Sequence, residues 1–201
     1  SVGSRCPHAR AGIVAVSTQN ITDPNLGTLI LDHMETGKDA KTAIDLVVKG
    51  RENINFRQLT AIDKDGNTSH FTGSKILGTN AVSEKSNCIA AGNLLSNLGV
   101  ADAMADGFNS DKNSHLAERL LVGLESGLKA GGEAGPVHSA ALIVVDQTKF
   151  PLVDLRVDWE EEDAVPKLRL LWSAYEPQML DYLNRALNPA VAPSYGVAGD
   201  L

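Results

Sequence analysis

The sequence predicts an α+β fold in which antiparallel sheets carry pairs of helices on their outer faces. Predicted strands and helices come in pairs along the chain rather than alternating singly, and this order disfavours a doubly wound parallel sheet. Residues 55–63 and 68–72 flank the turn Asp65-Gly66-Asn67, which is typical of a β-hairpin. An aromatic content of 4% and 18 glycines are in keeping with a sheet core of small and branched side chains.

The first elements are a buried strand and two helices. Residues 12–18 are apolar and β-branched, as expected for a strand buried on both faces. Asp23-Pro24 then offers an N-cap followed by proline at the first helical position, and apolar residues recur at helical spacing as far as Gly37. A second helix is predicted over residues 39–49, and Gly50 ends it.

The remaining elements follow from the same two periodicities. After the hairpin we expect a strand at residues 87–93 and two helices at residues 100–108 and 116–128. Two strands follow at residues 139–146 and 152–158, then two helices at residues 164–174 and 177–187, and an irregular tail at residues 188–201. Pro177 separates the last two helices because it lacks an N–H group and clashes with the preceding turn.

Length, charge and cysteine content exclude several classes of protein. We expect one domain over residues 1–201, and the longest apolar run is too short to span a bilayer. A formal charge of -7, with scattered basic residues, argues against a nucleic-acid partner. The presence of only two cysteines favours a reducing, cytoplasmic setting. The five histidines never take the i,i+4 spacing of a helical zinc pair, so no metal site is expected.

Polar side chains lie at the ends of two of the predicted buried strands. The triplet Thr18, Gln19 and Asn20 ends one strand, and Gly92-Asn93 ends another. Glycine lets a backbone approach closely, and an asparagine amide can donate to a developing oxyanion. Ordinary turn chemistry is the alternative explanation for both groups.

Ser1 is a candidate nucleophile. An N-terminal serine combines a hydroxyl group with an α-amine whose pKa is roughly 7.7–8.0, so one residue supplies both nucleophile and base. Such a terminus arises by removal of everything upstream, commonly by attack of the hydroxyl on its own preceding peptide bond. The alternative is that Ser1 only marks where the sequence starts.

Asp154, Arg156 and Asp158 share one face of a predicted strand. Arg156 can therefore lie between two aspartates and orient a substrate carboxylate or a neighbouring catalytic group. Arg5 is a second candidate for holding an acidic substrate group. A solvated ion-pair ladder explains the same pattern equally well.

Six sequence segments, taken in this order, resemble those of a known family over nearly the whole chain: RCPHARAGIVAVSTQN, RQLTAID, AAGNLL, a glycine pair before HSAALIVV, VDLRVDW and LRLLWSAYEPQ. The chain resembles the Ntn-hydrolase-like family catalogued as domain of unknown function 1028. The resemblance implies a four-layer αββα sandwich of two antiparallel sheets, and a superfamily whose N-terminal Ser, Thr or Cys is exposed by self-cleavage. Family members carry an upstream strand hairpin that this chain lacks. Cleavage before Ser1 would account for that, with the cut peptide lost or retained.

Together these features predict a hydrolase that cleaves an amide-type C–N bond of a small molecule through an acyl-serine. Ser1 is the expected nucleophile, and Ser4 or Cys6 is the alternative nucleophile if Ser1 only marks where the sequence starts. Asn93 and the Thr18 to Asn20 strand end are the expected donors to the oxyanion. No metal or organic cofactor is needed. The alternatives are a non-catalytic binding or scaffold protein and a hydrolytic deaminase of an imine or enamine metabolite. Apolar surface on the terminal helices suggests a homo-oligomer.

Cys6 and Cys88 are expected to be free thiols, because two cysteines in a reducing compartment seldom pair. Thiol titration of the denatured, unreduced protein should find both sulfhydryl groups. A titration that finds neither would contradict this expectation.

Overall fold

The computed structural model describes residues 1–199, and within that range it contains eight strands and six α-helices. The strands β1 to β8 are Pro7–Arg10, Val14–Asn20, Arg57–Asp63, Thr68–Thr72, Thr79–Lys85, Cys88–Leu95, Ala140–Val144 and Val153–Val157. The helices α1 to α6 are Pro24–Glu35, Ala40–Val48, Val100–Asn109, Leu116–Lys129, Ala164–Tyr175 and Met179–Leu187.

All six helices and six of the eight strands were predicted. Strands β1 and β5 were not, because β1 has four residues and begins at a proline, while β5 is mostly polar. The break between the last two helices is confirmed, since Pro177 lies in a 3₁₀ turn over Glu176–Gln178. Residues 188–199 of the expected irregular tail contain no helix or strand, and residues 200–201 lie outside the described part of the chain.

Four strands form one antiparallel sheet in the order β1-β2-β3-β4. Side chains alternate between its faces, so β2 and β3 present two different surfaces. On one face Val16, Leu59 and Ala61 join a buried cluster with side chains of α1 and α2. On the other face Ser17 lies opposite Thr60, which makes that surface polar.

The starts of α1 and α2 are set by aspartates, of which Asp23 was predicted as an N-cap. Asp23 accepts a hydrogen bond from the backbone N–H of Asn25 at 3.1 Å, and Asp39 accepts one from Thr42 at 2.7 Å. Each carboxylate satisfies a backbone donor that has no partner inside its own helix.

A second layer of strands faces the polar side of the four-stranded sheet. It consists of two separate antiparallel pairs, β5–β6 and β7–β8. Strand β6 packs against β3, and β7 packs against β1. Helices α3, α4 and α5 cover the outer side, and Trp172, Leu121 and Leu168 are fully buried there. The predicted α+β arrangement of antiparallel sheets and helices is thus confirmed, but the second layer is divided where one continuous sheet was expected.

A membrane span was not expected. Among the described helices, none combines the length and the apolar character needed to cross a bilayer.

Asp63 joins the β3–β4 turn to the start of α2. Its Oδ1 accepts from the backbone N–H groups of Asp65 at 3.0 Å and Asn67 at 2.9 Å, and its Oδ2 accepts from Ala40 at 3.4 Å. Burial alone would raise the pKa of Asp63, but the hydrogen bonds together outweigh it, so the pKa lies below its usual value.

Replacing Asp63 with alanine should lower the free energy of unfolding by roughly 1–3 kcal/mol, because the buried N–H group of Ala40 and two part-buried N–H groups lose their acceptor. Asp65→Ala is the matched control. Within residues 1–199 its exposed carboxylate bonds to exposed Lys64 alone, so its effect should stay within about 0.5 kcal/mol. Urea unfolding measures both. Equal losses in the two variants would contradict the role of Asp63.

The same contribution should depend on pH. The pKa of Asp63 is lower in the folded than in the unfolded state, so its stabilisation is fully present above about pH 4. It should be lost as the pH falls through the folded pKa. Unfolding curves of wild type and Asp63→Ala should therefore converge in acid, and a constant difference would contradict this.

Candidate functional site

A cavity of about 430 Å³ lies between the two layers of strands. Its floor is the polar face of the four-stranded sheet, with Ser17, Gln19 and Thr60. Its roof is apolar and comes from α3 and α4, including Phe108 and Leu124. Concave apolar cavities with a few polar groups, of roughly 300–1,000 Å³, are the usual form of small-molecule sites.

The two side walls are strand edges. Strand β6 contributes residues 88–93 and β7 contributes residues 140–143, whereas β5 and β8 contribute none of the lining residues. Because side chains alternate along a strand, an unbroken run of lining residues shows that the strand presents its backbone edge. The free edges of β6 and β7 therefore border the cavity.

Asn93, the expected oxyanion donor, is among the residues that line this cavity. It is half-buried near the end of β6. Its carboxamide makes no hydrogen bond to another side chain or backbone group within residues 1–199. The amide N–H groups of Asn93 are therefore available to a bound molecule.

The predicted triplet divides between two environments. Gln19 lines the cavity, and its Nε2 donates to Gln58 Oε1 at 2.6 Å. Thr18 is fully buried on the opposite face, where its hydroxyl donates to the carbonyl oxygen of Asp23 at 3.2 Å. Asn20 donates to the carbonyl oxygen of Phe56 at 2.7 Å. Thr18 and Asn20 thus stabilise the sheet ends, and neither is among the lining residues, which corrects the expectation that all three share one site.

Ser1 lies at the rim of the cavity. The nitrogen atoms of Ser1 and Val2 both donate to Ser139 Oγ, at 3.3 and 3.2 Å. Val2 and Ser139 line the cavity, while Ser1 itself is exposed. The structure thus places Asn93 in the lining of the cavity and Ser1 beside two of its lining residues. The hydroxyl of Ser4 donates to the carbonyl oxygen of Ser1 at 3.1 Å, so Ser4 supports this turn.

The predicted substrate-binding charges lie elsewhere. Arg5 donates to the carbonyl oxygen of Thr22 at 3.1 Å, and Arg156 pairs with Asp158 at 3.0 Å. Asp154 is exposed on β8. None of these residues lines the cavity, and among the described lining residues no lysine or arginine occurs. The arrangement resembles the solvated ion-pair alternative more than an anion pocket.

Sequence reasoning missed several polar groups of the cavity. Ser17 and Thr60 were visible as hydroxyl residues inside apolar strand segments, but Ser139 and Glu133 carried no signal. Glu133 is exposed on one side, and burial of its carboxyl group against the wall raises its pKa. No group of three or more potential metal ligands occurs in the described part of the chain.

Both cysteines also line the cavity. Cys6 and Cys88 are free thiols in the structure, and burial raises the pKa of each. The sulfur of Cys6 lies 3.9 Å from the Thr22 hydroxyl. Since the thiolate is the reactive form, the raised pKa values make these thiols poor nucleophiles at neutral pH.

Fold and site together define an antiparallel α+β sandwich with a cavity between its strand layers. A model of a family of unknown function, DUF1028, matches residues 1–168, and the chain belongs to this family. A crystal structure of protein SPO2555 from Silicibacter pomeroyi, of the same family, is similar with a TM-score of 0.80 and 26% identity. The match covers 87% of this chain and 78% of that chain. Among curated proteins no match is found.

Asn93→Ala should leave the fold and its stability nearly unchanged, within about 0.5 kcal/mol, because the carboxamide has no internal bond to lose. Gln58→Ala is the matched contrast. Gln58 is fully buried, accepts from Gln19 and donates to Thr72 at 3.3 Å, so its loss should cost roughly 1–3 kcal/mol. Urea unfolding compares the two variants, and an Asn93 variant as unstable as the Gln58 variant would show that Asn93 is structural.

Proposed function

We propose that the protein is a hydrolase of the N-terminal-nucleophile type that cleaves an amide-type C–N bond in a small, uncharged molecule. The observation that supports this best is the cavity that Ser1 borders and Asn93 lines with an unbonded carboxamide. A neutral substrate suits a cavity whose described lining contains no lysine or arginine and one carboxyl group, that of Glu133, whose pKa is raised by burial.

The proposed reaction proceeds in two steps. The Ser1 hydroxyl attacks the carbonyl carbon of the substrate, and the α-amine of Ser1 takes the hydroxyl proton and passes it to the leaving amine. Asn93 Nδ2 donates to the oxyanion of the tetrahedral intermediate. Water then attacks the acyl-serine, and the same amine accepts a proton from that water. The amine passes this proton to Ser1 Oγ as the bond between Oγ and the acyl carbon breaks, so that the acid is released and Ser1 is regenerated.

The polar floor would orient the substrate. Gln19 retains a carboxamide oxygen as an acceptor while its Nε2 is committed to Gln58. The hydroxyl groups of Ser17 and Thr60 offer further donors and acceptors on the same face. The roof from α3 and α4 would hold the apolar part of the molecule.

A non-catalytic binding protein is the second candidate. The specific observation in its favour is that Ser1 is exposed and is not itself among the lining residues, whereas every polar group of the floor is uncharged. Such a cavity binds a neutral molecule without any chemistry.

Turnover of a panel of small amides, lactams and cyclic imides tests the proposal. Ser1→Ala should abolish hydrolysis and still bind the active compound, because only the nucleophile is removed. Asn93→Ala should slow turnover on the order of a hundredfold to a thousandfold. Normal turnover by the Ser1 variant would contradict the proposed role of Ser1.

Ser173→Ala is the matched control. This serine is exposed on α5, where its hydroxyl donates to the carbonyl oxygen of Arg169 at 3.0 Å, and its removal should leave turnover unchanged. Binding of panel compounds by wild type with no product, detected by calorimetry and mass spectrometry, would favour the binding protein.

A further inference from the structure

Glu133 carries the one carboxyl group that lines the cavity within residues 1–199, and no lysine, arginine or histidine is among the other lining residues there. Its side chain makes no hydrogen bond or ion pair with another described residue. By contrast, arginines hold the carboxylates of Asp32 and Glu118 outside the cavity. Both carboxyl oxygen atoms of Glu133 are therefore available to a molecule in the cavity.

The backbone of Glu133 is fixed to the end of β6. Glu133 forms an antiparallel bridge with Leu95, and the N–H group of Ala134 donates to the carbonyl oxygen of Leu94 at 2.7 Å. Directly paired residues turn their side chains to the same face. Leu95 is buried and lines the cavity, so Glu133 lies beside it on a wall that the strand holds in place.

Glu133 and Asn93 are close enough to contact one small molecule. Asn93 precedes Leu95 by two residues, so the Cα atoms of these two residues are at most about 7 Å apart. The Cα atoms of an antiparallel pair such as Leu95 and Glu133 are about 4.5–5.5 Å apart. The same part of the wall thus offers the N–H donors of Asn93 and the two acceptor oxygens of Glu133.

The environment of Glu133 favours a neutral molecule that donates N–H groups. Burial raises the pKa of the Glu133 carboxyl group because its charged form loses water, and donors on a ligand replace that water. An ammonium group would also donate, but removing a second charge from water costs about as much as the attraction gains. Two neighbouring N–H groups on an uncharged molecule satisfy the carboxylate without that cost.

A ureido group, –NH–CO–NH₂, has this arrangement of donors. Each of its nitrogen atoms directs one N–H away from the carbonyl oxygen, so two parallel N–H groups match the two oxygens of a carboxylate. Its carbonyl oxygen points the opposite way and can accept from a carboxamide N–H. An alkyl group on one nitrogen would lie under the apolar roof of the cavity.

From these observations we infer that Glu133 determines specificity by accepting both N–H groups of a ureido compound, whose carbonyl oxygen accepts from Asn93. The inference deepens the proposed function and rests on it for the reaction. Ser1 Oγ bonds to the ureido carbon, one C–N bond breaks, and the freed nitrogen takes the hydroxyl proton through the α-amine. Water then releases carbamic acid, so one urea and one water give carbamic acid and an amine or ammonia.

The test measures binding by calorimetry on the Ser1→Ala variant, in which turnover does not interfere. Hexylurea and hexyl carbamate are matched probes, because the carbamate has an oxygen atom where the urea has its inner N–H group. Hexylurea should bind at least about tenfold more tightly than hexyl carbamate, since the carbamate lacks one hydrogen bond to a charged acceptor.

Glu133→Gln, added to this variant, should weaken the binding of hexylurea at least about tenfold, because the glutamine amide turns a donor toward one of the two N–H groups. The affinities of the two probes should then differ by no more than about threefold. Glu162→Gln is the matched control, since it removes the same charge from an exposed residue outside the lining and should change neither affinity. Unchanged binding of hexylurea in the Glu133 variant, or no binding before that change, would overturn the inference.

Hexylamine, which is an ammonium ion at neutral pH, separates a neutral group from a cation. Hexylurea should bind more tightly than hexylamine. Tighter binding of hexylamine that is lost in the Glu133→Gln variant would show that Glu133 recognises a cation, and would overturn the inference.

Hydrolysis by the protein with Ser1 intact separates this inference from the proposed function. If heptanamide and hexylurea are hydrolysed with equal kcat/KM and Glu133→Gln changes neither value, the proposed function stands and the inference is wrong. If hexylurea binds as expected but yields no product, the proposed hydrolase activity is wrong and recognition by Glu133 stands.

Discussion

Strands β2 and β3 pair antiparallel and give the sheet one apolar face and one polar face. The packing of the helices on one face and the form of the cavity on the other both depend on that pairing. On the apolar face Val16 and Leu59 give α1 and α2 a surface on which to pack. On the polar face a chain of hydrogen bonds runs from Gln19 through Gln58 to Thr72. Buried amides need such partners, and once satisfied they hold the sheet rigid.

The polar face prevents the two strand layers from closing into a dry core. Its hydroxyl and amide groups retain donors and acceptors that an apolar sheet could not satisfy. The hydrophobic clusters of the protein therefore lie outside the strand layers, one under α1 and α2 and one among α4, α5 and the β7–β8 pair. The cavity is the space between the layers that neither cluster fills.

Glu133 is the one acidic or basic side chain among the described lining residues of this cavity. The acidic chain places its ion pairs away from the lining residues, for example Arg10 with Asp32 and Glu35, and Arg169 with Glu118 and Glu125. What the cavity offers is amides, hydroxyl groups, an apolar roof and two open strand edges. Isolated pairs of strands are marginal on their own and their edges invite further pairing, so packing on α3, α4 and α5 has to hold β5–β6 and β7–β8 in place.

The sequence by itself determined the elements whose signals are local. The Asp23-Pro24 start of α1, the turn at Asp65-Gly66-Asn67 and the break at Pro177 depend on neighbouring residues and were predictable. Strand β5 was not, because its polar residues show no apolar alternation and it forms only by pairing with β6.

Some residues of the candidate site were likewise predictable from the sequence, and others were identified only by the structure. Asn93 and Gln19 were suggested by their positions at strand ends, but alternation along β2 turns Thr18 toward the helices and Gln19 toward the cavity. Only the tertiary structure brings Ser1 to Ser139, because these residues are 138 positions apart and no local pattern encodes their contact. The open edges of β6 and β7 were likewise beyond the sequence, since strand pairing is a non-local property that is settled when the layers pack.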